Sequence, residues 1–256
     1  MFDYFWYWQQ RPIPDGVAFG LFSAAHLIAL ALLGVFVVAI PVAVYKRLDA
    51  DGRRKMRLTV GIITLLLDLV VQIAYAVGGA YTPGRIPWHL CSMGVWMVLF
   101  DSIRPNVVCR EVLYSLTTWS AVCAAVFPDW ADRPIMNIFS WQSFASHGFL
   151  LAYPLMILVA GEFRPNWRNL WKVALVLAGW VAVALVINHY LDTNFVFLGT
   201  AAPGSPMEPI QAFSGSFYIP FLAFLLYLVW TAFYAPWIIK QWWRERHPLS
   251  SQLVAA

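Results

Sequence analysis

Charge is what this sequence has least of: only 12% of its 256 residues are Asp, Glu, Lys or Arg, against 61% apolar ones. That scarcity excludes a chain surrounded by water and describes one surrounded by lipid. Ten-residue alternating segments, the mark of a membrane barrel, are missing, and long continuous apolar runs stand in their place. Internal repeats, low-complexity tracts and connections long enough for a soluble domain are absent too. The expectation is one all-α domain over 1–256, a polytopic membrane helical bundle.

A hydrocarbon core of about 30 Å takes about 20 apolar residues per helix. Seven stretches come near that length, at 17–44, 57–80, 88–103, 107–127, 136–160, 169–190 and 215–238. Basic residues near membrane ends collect on the cytoplasmic side. Lys46, Arg47, Arg53, Arg54, Lys55, Arg57, Arg104, Arg110, Arg164, Arg168, Lys172, Lys240, Arg244 and Arg246 fall on one side, and Arg11, Arg85 and Arg133 on the other, a split of fourteen to three. This predicts seven spans with the N-terminus outside, the C-terminus cytoplasmic and the plasma (cytoplasmic) membrane as location. The net charge of +4 is then a topology signal that needs no nucleic acid to explain it. The aromatic start 1–10 lacks a basic n-region and reads as an interfacial segment instead of a cleavable signal. Trp88, Trp130, Trp141, Trp167, Trp237, Trp242 and Trp243 fall near predicted boundaries and read as belt anchors.

Ionisable groups inside spans are few, and each needs a partner or water. Asp68 lies near the middle of the second span, with Gln72 one turn away on the same face. His147 lies inside the fifth span, His26 in the outer third of the first, and Asn188 and His189 close the sixth. Asp68, His89, His147 and His189 share a depth towards the outer half of the bundle. The third span is short, about 24 Å at 1.5 Å per residue, so its N-terminus should start below the outer surface. Pro87 suits a first turn, and Cys91 then meets free N–H groups and the positive end of the helix dipole, which lower a thiol pKa. Residues two apart diverge on a helix, so the base for Cys91 should come from another span instead of from His89. His147 fits by depth, with Asp68 a possible orienter.

Rival readings remain at this level. Cys123, near the outer end of the fourth span, could bridge to Cys91 in an oxidising compartment. His26, His89, His147 and His189 could together hold a metal, although no HxxxH, ExxH or CxxC spacing supports it and none is assigned. The connection 190–214, rich in Pro, Gly and aromatics, could be a lid or a plain loop.

Pro87-Trp-His-Leu-Cys91, His147-Gly148, and Asn188-His-Tyr-Leu-Asp-Thr-Asn-Phe195 followed by Pro203 resemble the YwaF-like integral membrane proteins of bacteria, relatives of transmembrane protein 164, an ether-phospholipid acyltransferase. The resemblance covers nearly the whole chain. It implies a thiol acyltransferase in which Cys91 matches the family's cysteine and His147 its downstream histidine. Trp88, and Phe195 where Tyr often follows Thr-Asn, depart from the commonest pattern and leave donor and acceptor identity open.

The expected activity is transfer of a fatty acyl chain between membrane lipids through a Cys91 thioester, to a lysolipid or other hydroxyl acceptor. His89, Gln72, Asn188, His189, His26, Asn194 and Asp68 would form the supporting polar pocket. No nucleotide or CoA signature appears, and no cofactor is expected. Two alternatives stand: a seven-helix lipid or small-molecule binder or transporter with a His/Asp pocket, and a lipid hydrolase using the same Cys/His pair. A retinal-type receptor is disfavoured, because 215–238 has no lysine for a Schiff base.

Overall fold

The computed structural model describes residues 4–6 and 15–246. Only residues 4–6 of the aromatic start are included, so the expected interfacial segment lies largely outside the described residues. All regular structure among the described residues is helical, with no strand. Helices α1 (Ala24–Arg47), α2 (Ala50–Val77), α5 (Ile138–Val159), α6 (Leu170–Leu191) and α8 (Tyr218–Arg246) belong to the five segments long and apolar enough to cross a membrane. Between them lie α3 (Leu90–Ile103), the continuous helical stretch α4 (107–126) and the short α7 (Met207–Ser214). The first helix starts later than the expected 17, because Ser23 caps it by accepting from the His26 N–H. The last runs past the expected 238, to Arg246.

Lipid cannot satisfy backbone groups, so each apolar run closes its own ladder as a helix. Asn106 caps α4 by accepting from the Val108 and Cys109 N–H groups, and Asn137 caps α5 by accepting from Phe139. Helix α5 is the centre of the bundle. Half of its apolar window is buried, while the other four candidate spans bury less than a quarter of theirs. It packs on α1, α2, α3 and α4. Exposed apolar faces, such as Ile28 and Phe36 on α1 or Leu175 and Val186 on α6, are left for lipid.

Lipid tails are as apolar as the side chains, so cohesion rests on close packing and interhelical hydrogen bonds. Two glycines supply close approach beside the candidate site. A Cβ at Gly94 would sit 2.6 Å from Thr117 Cγ2, and one at Gly148 would meet Leu33 and come within 2.8 Å of Val37 Cγ1. Thr117 and Leu33–Ala39 belong to two π-helical segments, Leu113–Thr117 in α4 and Leu33–Ala39 in α1. Such widened turns recur at functional sites.

Among the described residues, ion pairs gather at the end of the bundle that carries most of the basic residues. Asp101, fully buried, accepts from Arg110 Nε (3.0 and 3.1 Å), Tyr153 OH (2.9 Å) and the Asn106 N–H (2.8 Å). Glu162 accepts from Arg57 (2.7 Å) and Tyr45 OH (2.9 Å), and Arg110 donates to its backbone carbonyl. Glu111, also fully buried, accepts from Tyr234 OH, the Asn166 N–H and Asn169 Nδ2. Arg57 and Arg110 therefore tie helices together in addition to contributing to the charge asymmetry.

Candidate active site

At 14 residues, or about 21 Å, α3 is too short for a core of about 30 Å. Its N-cap, His89, has extended backbone and makes no side-chain capping hydrogen bond. The N–H groups of Leu90, Cys91 and Ser92 are therefore the orphan donors of a helix start, and the first intrahelical bond comes from Met93 to the His89 carbonyl. A tryptophan pair fixes this end laterally. Trp88 and Trp180 stack at 4.0 Å, and each indole N–H donates to the other's carbonyl, at 3.2 and 3.0 Å.

Cys91 is half-buried and free, as are Cys109 and Cys123. His147 reaches it from α5, with Nε2 3.2 Å from Sγ. The other ring nitrogen, Nδ1, lies 2.7 Å from the Ser143 carbonyl oxygen one turn earlier. A carbonyl can only accept, so the proton of the neutral ring sits on Nδ1, and Nε2 presents its lone pair to the thiol. Trp130, 6% exposed, stacks on the imidazole at 5.2 Å and 20°, and Phe144 packs edge-on against Trp130 at 5.4 Å. The imidazole is thus held both by a hydrogen bond along its plane and by an aromatic face across it.

The other residues expected in the polar pocket have separate places. Asp68 is half-buried and has no hydrogen bond or ion pair among the described residues, and the orienting position beside His147 belongs to the Ser143 carbonyl. Gln72 Oε1 is buried without a partner among the described residues. His26 is fully buried as a brace: its Nδ1 accepts from the Phe22 N–H, and its Nε2–H donates to the Ala125 carbonyl, both at 3.0 Å, joining α1 to α4. His189 is exposed, with its ring against Tyr190. Among the described residues, no three His, Cys, Asp or Glu side chains come together as metal ligands.

Asn188 and Asn194 shape the 192–205 connection. Asn188 Oδ1 accepts from the Phe195 N–H (2.7 Å) and Thr193 Oγ1 (2.9 Å), while its amide donates to the Phe195 carbonyl. Asn194 Oδ1 accepts from Gly199 and Thr200, and its amide donates back to Thr200. This connection reaches the start of α3, where the Val196 N–H donates to His89 Nδ1 at 3.4 Å and Phe195 and Phe197 flank the His89 ring. Val196 and Phe197 hold φ of 62° and 54°, a left-handed conformation that is costly for a β-branched residue.

Beside the Cys91–His147 pair opens a cavity of about 270 Å³, lined among others by Arg85, Asp129, Trp130, Asp132, Arg133 and Ser143. Sequence reasoning placed Trp130 in a lipid belt, because an aromatic at a span boundary fits that role; its burial against His147 comes only from the packing of α4 and α5. Trp88 and Trp237 likewise spend their indole N–H groups inside the protein, Trp237 on Tyr114 OH. Trp167, Trp242 and Trp243 are exposed as a belt requires.

The arrangement assembles a thiol, a base with its tautomer fixed, and uncapped N–H donors at the thiol's own helix start, the parts that nucleophilic acyl chemistry uses. Neither the curated proteins nor the solved structures give a significant match to the chain. A family model, that of the TMEM164 family, matches residues 21–234. The match runs from the turn before α1 into α8 and takes in both Cys91 and His147, so the chain belongs to the TMEM164 family.

Proposed function

We propose that the protein is a membrane-embedded acyltransferase that moves a fatty acyl chain between lipids through a thioester on Cys91. The supporting observation is the 3.2 Å approach of His147 Nε2 to Cys91 Sγ with Nδ1 committed to the Ser143 carbonyl. The Cys91 proton passes to His147 Nε2 as Sγ bonds to the carbonyl carbon of a lipid ester. The tetrahedral oxyanion faces the α3 N–H groups. Its collapse breaks the ester C–O bond, and the leaving oxygen takes the proton from His147. An acceptor hydroxyl, such as that of a lysolipid, then gives its proton to Nε2 and attacks the thioester, and Cys91 leaves as thiolate and is reprotonated by His147. His89 and the connection that it holds border the uncapped helix start and serve as its cover.

The same reading takes α3 and α4 as crossing helices beside the five long ones, giving seven spans. Fourteen of the seventeen Lys and Arg residues then face the cytoplasm, the N-terminus lies outside, and the site opens to the outer leaflet of the plasma membrane.

The test is intact-mass analysis after incubation with a phospholipid of defined acyl chains. A mass increase equal to one acyl group, removed by hydroxylamine and absent in Cys91→Ala, is expected. An unmodified chain under turnover, or modification that persists in Cys91→Ala, overturns the thioester. Free fatty acid with no acyl-lipid product redirects the same dyad to hydrolysis.

A further inference from the structure

The cavity beside His147 carries a charge pattern that the acyl chemistry does not use. Arg85 and Arg133 both line it, and among the described residues neither has a carboxylate within ion-pair distance. They are carried instead on an aromatic pair. The Arg85 guanidinium lies 4.4 Å from the Tyr75 ring centroid and that of Arg133 5.9 Å from Phe139, and the two rings stack at 5.3 Å and 13°. Aromatic faces hold guanidiniums without spending their N–H donors. Trp130 lines the same cavity, and its Nε1–H is buried with no acceptor among the described residues. A buried donor without a partner costs free energy, and the guanidinium N–H donors of Arg85 and Arg133 have no carboxylate within ion-pair distance among the described residues. An anion with several acceptor oxygens resolves both.

Asp129 and Asp132 are exposed at the same cavity and pair with neither arginine. Cations and carboxylates side by side, each free, complement a zwitterion better than a polyanion. The cavity adjoins the dyad through two of its lining residues. Trp130 stacks on His147, and Ser143, which lines the cavity, accepts from His147 Nδ1. In a glycerophospholipid only a few bonds separate the phosphate from the ester carbonyls.

We propose that Arg85, Arg133 and Trp130 bind the phosphodiester of a zwitterionic glycerophospholipid, with Asp129 and Asp132 receiving its cationic group, so that this cavity selects the lipid presented to Cys91. The assignment of that lipid as substrate rests on the acyltransferase reading; the binding site itself does not. Guanidinium forks suit phosphate oxygens, and the acidic rim sets the headgroup preference.

The test is equilibrium binding to purified Cys91→Ala protein in detergent, which removes acyl chemistry from the readout, so a missing thioester and a missing headgroup site are separate results. The probes are lysophosphatidylethanolamine, lysophosphatidylglycerol and a monoacylglycerol of the same chain, with inorganic phosphate as competitor. Added Arg85→Gln or Arg133→Gln should weaken lysophosphatidylethanolamine about tenfold or more and leave monoacylglycerol unchanged. Asp129→Asn with Asp132→Asn should remove the preference for lysophosphatidylethanolamine over lysophosphatidylglycerol. Unchanged lysophosphatidylethanolamine binding in both arginine variants overturns the proposal, as does an equal loss for monoacylglycerol, which would make the arginines supports of the fold. Displacement of the lysolipid by inorganic phosphate at comparable concentration overturns the lipid source in favour of a soluble phosphate.

Discussion

At the basic end of the bundle, Asp101 is met by Arg110, Tyr153 and a backbone N–H, and Glu111 by Tyr234, Asn169 and another. At the opposite end, among the described residues, the α3 N–H groups have no side-chain cap, Trp130 Nε1 and Gln72 Oε1 have no partner, and Arg85 and Arg133 face a cavity. Both ends hold polar groups in a lipid setting, where unmet hydrogen-bonding capacity is costly. The difference separates two uses of polarity. Groups that satisfy one another hold helices together. At the basic end Arg53 Nε and Arg57 Nε also lack a hydrogen bond among the described residues, but both guanidiniums are paired with Glu162; on the reading proposed above, the unmatched groups at the opposite end await a ligand.

The largest effect that would break this comparison belongs to Cys91. Cys91→Ala should lower acyl transfer by on the order of 10³-fold or more, with only a small change in the thermal midpoint of the detergent-purified protein, because the substitution removes a single half-buried sulfur at the edge of the core. A large fall in stability would place Cys91 among the structural groups. His147→Ala should cost about 10²- to 10⁴-fold, the range for a general base. In single-turnover measurements the loss should appear in acylation of Cys91, since the thiol proton must first leave through Nε2.

The basic end predicts the reverse pattern. Arg110→Ala leaves the fully buried Asp101 carboxylate without its cation, a change that costs about 3–5 kcal/mol. Chemical denaturation in detergent should register that loss, while the rate per folded molecule stays near that of the parent. A rate that collapses before the fold does would mean that the basic end takes part in turnover.

How far the sequence spoke differs between these ends. The proximity of Cys91 and His147 was legible, because a short span and a helical depth count put both at one level, and the two-residue spacing of His89 pointed to a partner from another span. Depth is not azimuth, however. His26, His189 and Asn188 were read at the same level and Asn194 in the same pocket, but they point elsewhere, into a backbone brace, towards the exterior and into a loop scaffold. The basic end was read only as a topology signal, since Asp101, Glu111 and Glu162 acquire their partners from segments far away in the chain. Nor could apolar runs announce the π-helical turns, which change hydrogen-bond spacing without changing composition.

A smaller effect sharpens the link between packing and site. Gly148→Ala drives a methyl group into Leu33 and Val37, and overpacking of this kind costs about 1–3 kcal/mol. Residue 148 follows His147, so the strain should also turn the imidazole away from Sγ. Thermal melts and rates should fall together here, unlike in Cys91→Ala, where the fall is chiefly in the rate.

The smallest expected effect concerns Asp68, the carboxylate that nucleophile–base–acid logic would place behind His147. The Ser143 carbonyl already occupies Nδ1 at 2.7 Å, and a carbonyl fixes the tautomer without adding a second charge to a low-dielectric site. Asp68 itself has no hydrogen bond or ion pair among the described residues. Asp68→Asn should therefore not destabilise the fold, since no partner is lost, and should leave the pH–rate profile in place. A profile displaced along the pH axis would show that the carboxylate is felt at His147 and would return Asp68 to the catalytic group. An unchanged profile would leave a two-residue dyad oriented by its own helix backbone, the simplest arrangement that still delivers a lone pair to the Cys91 thiol.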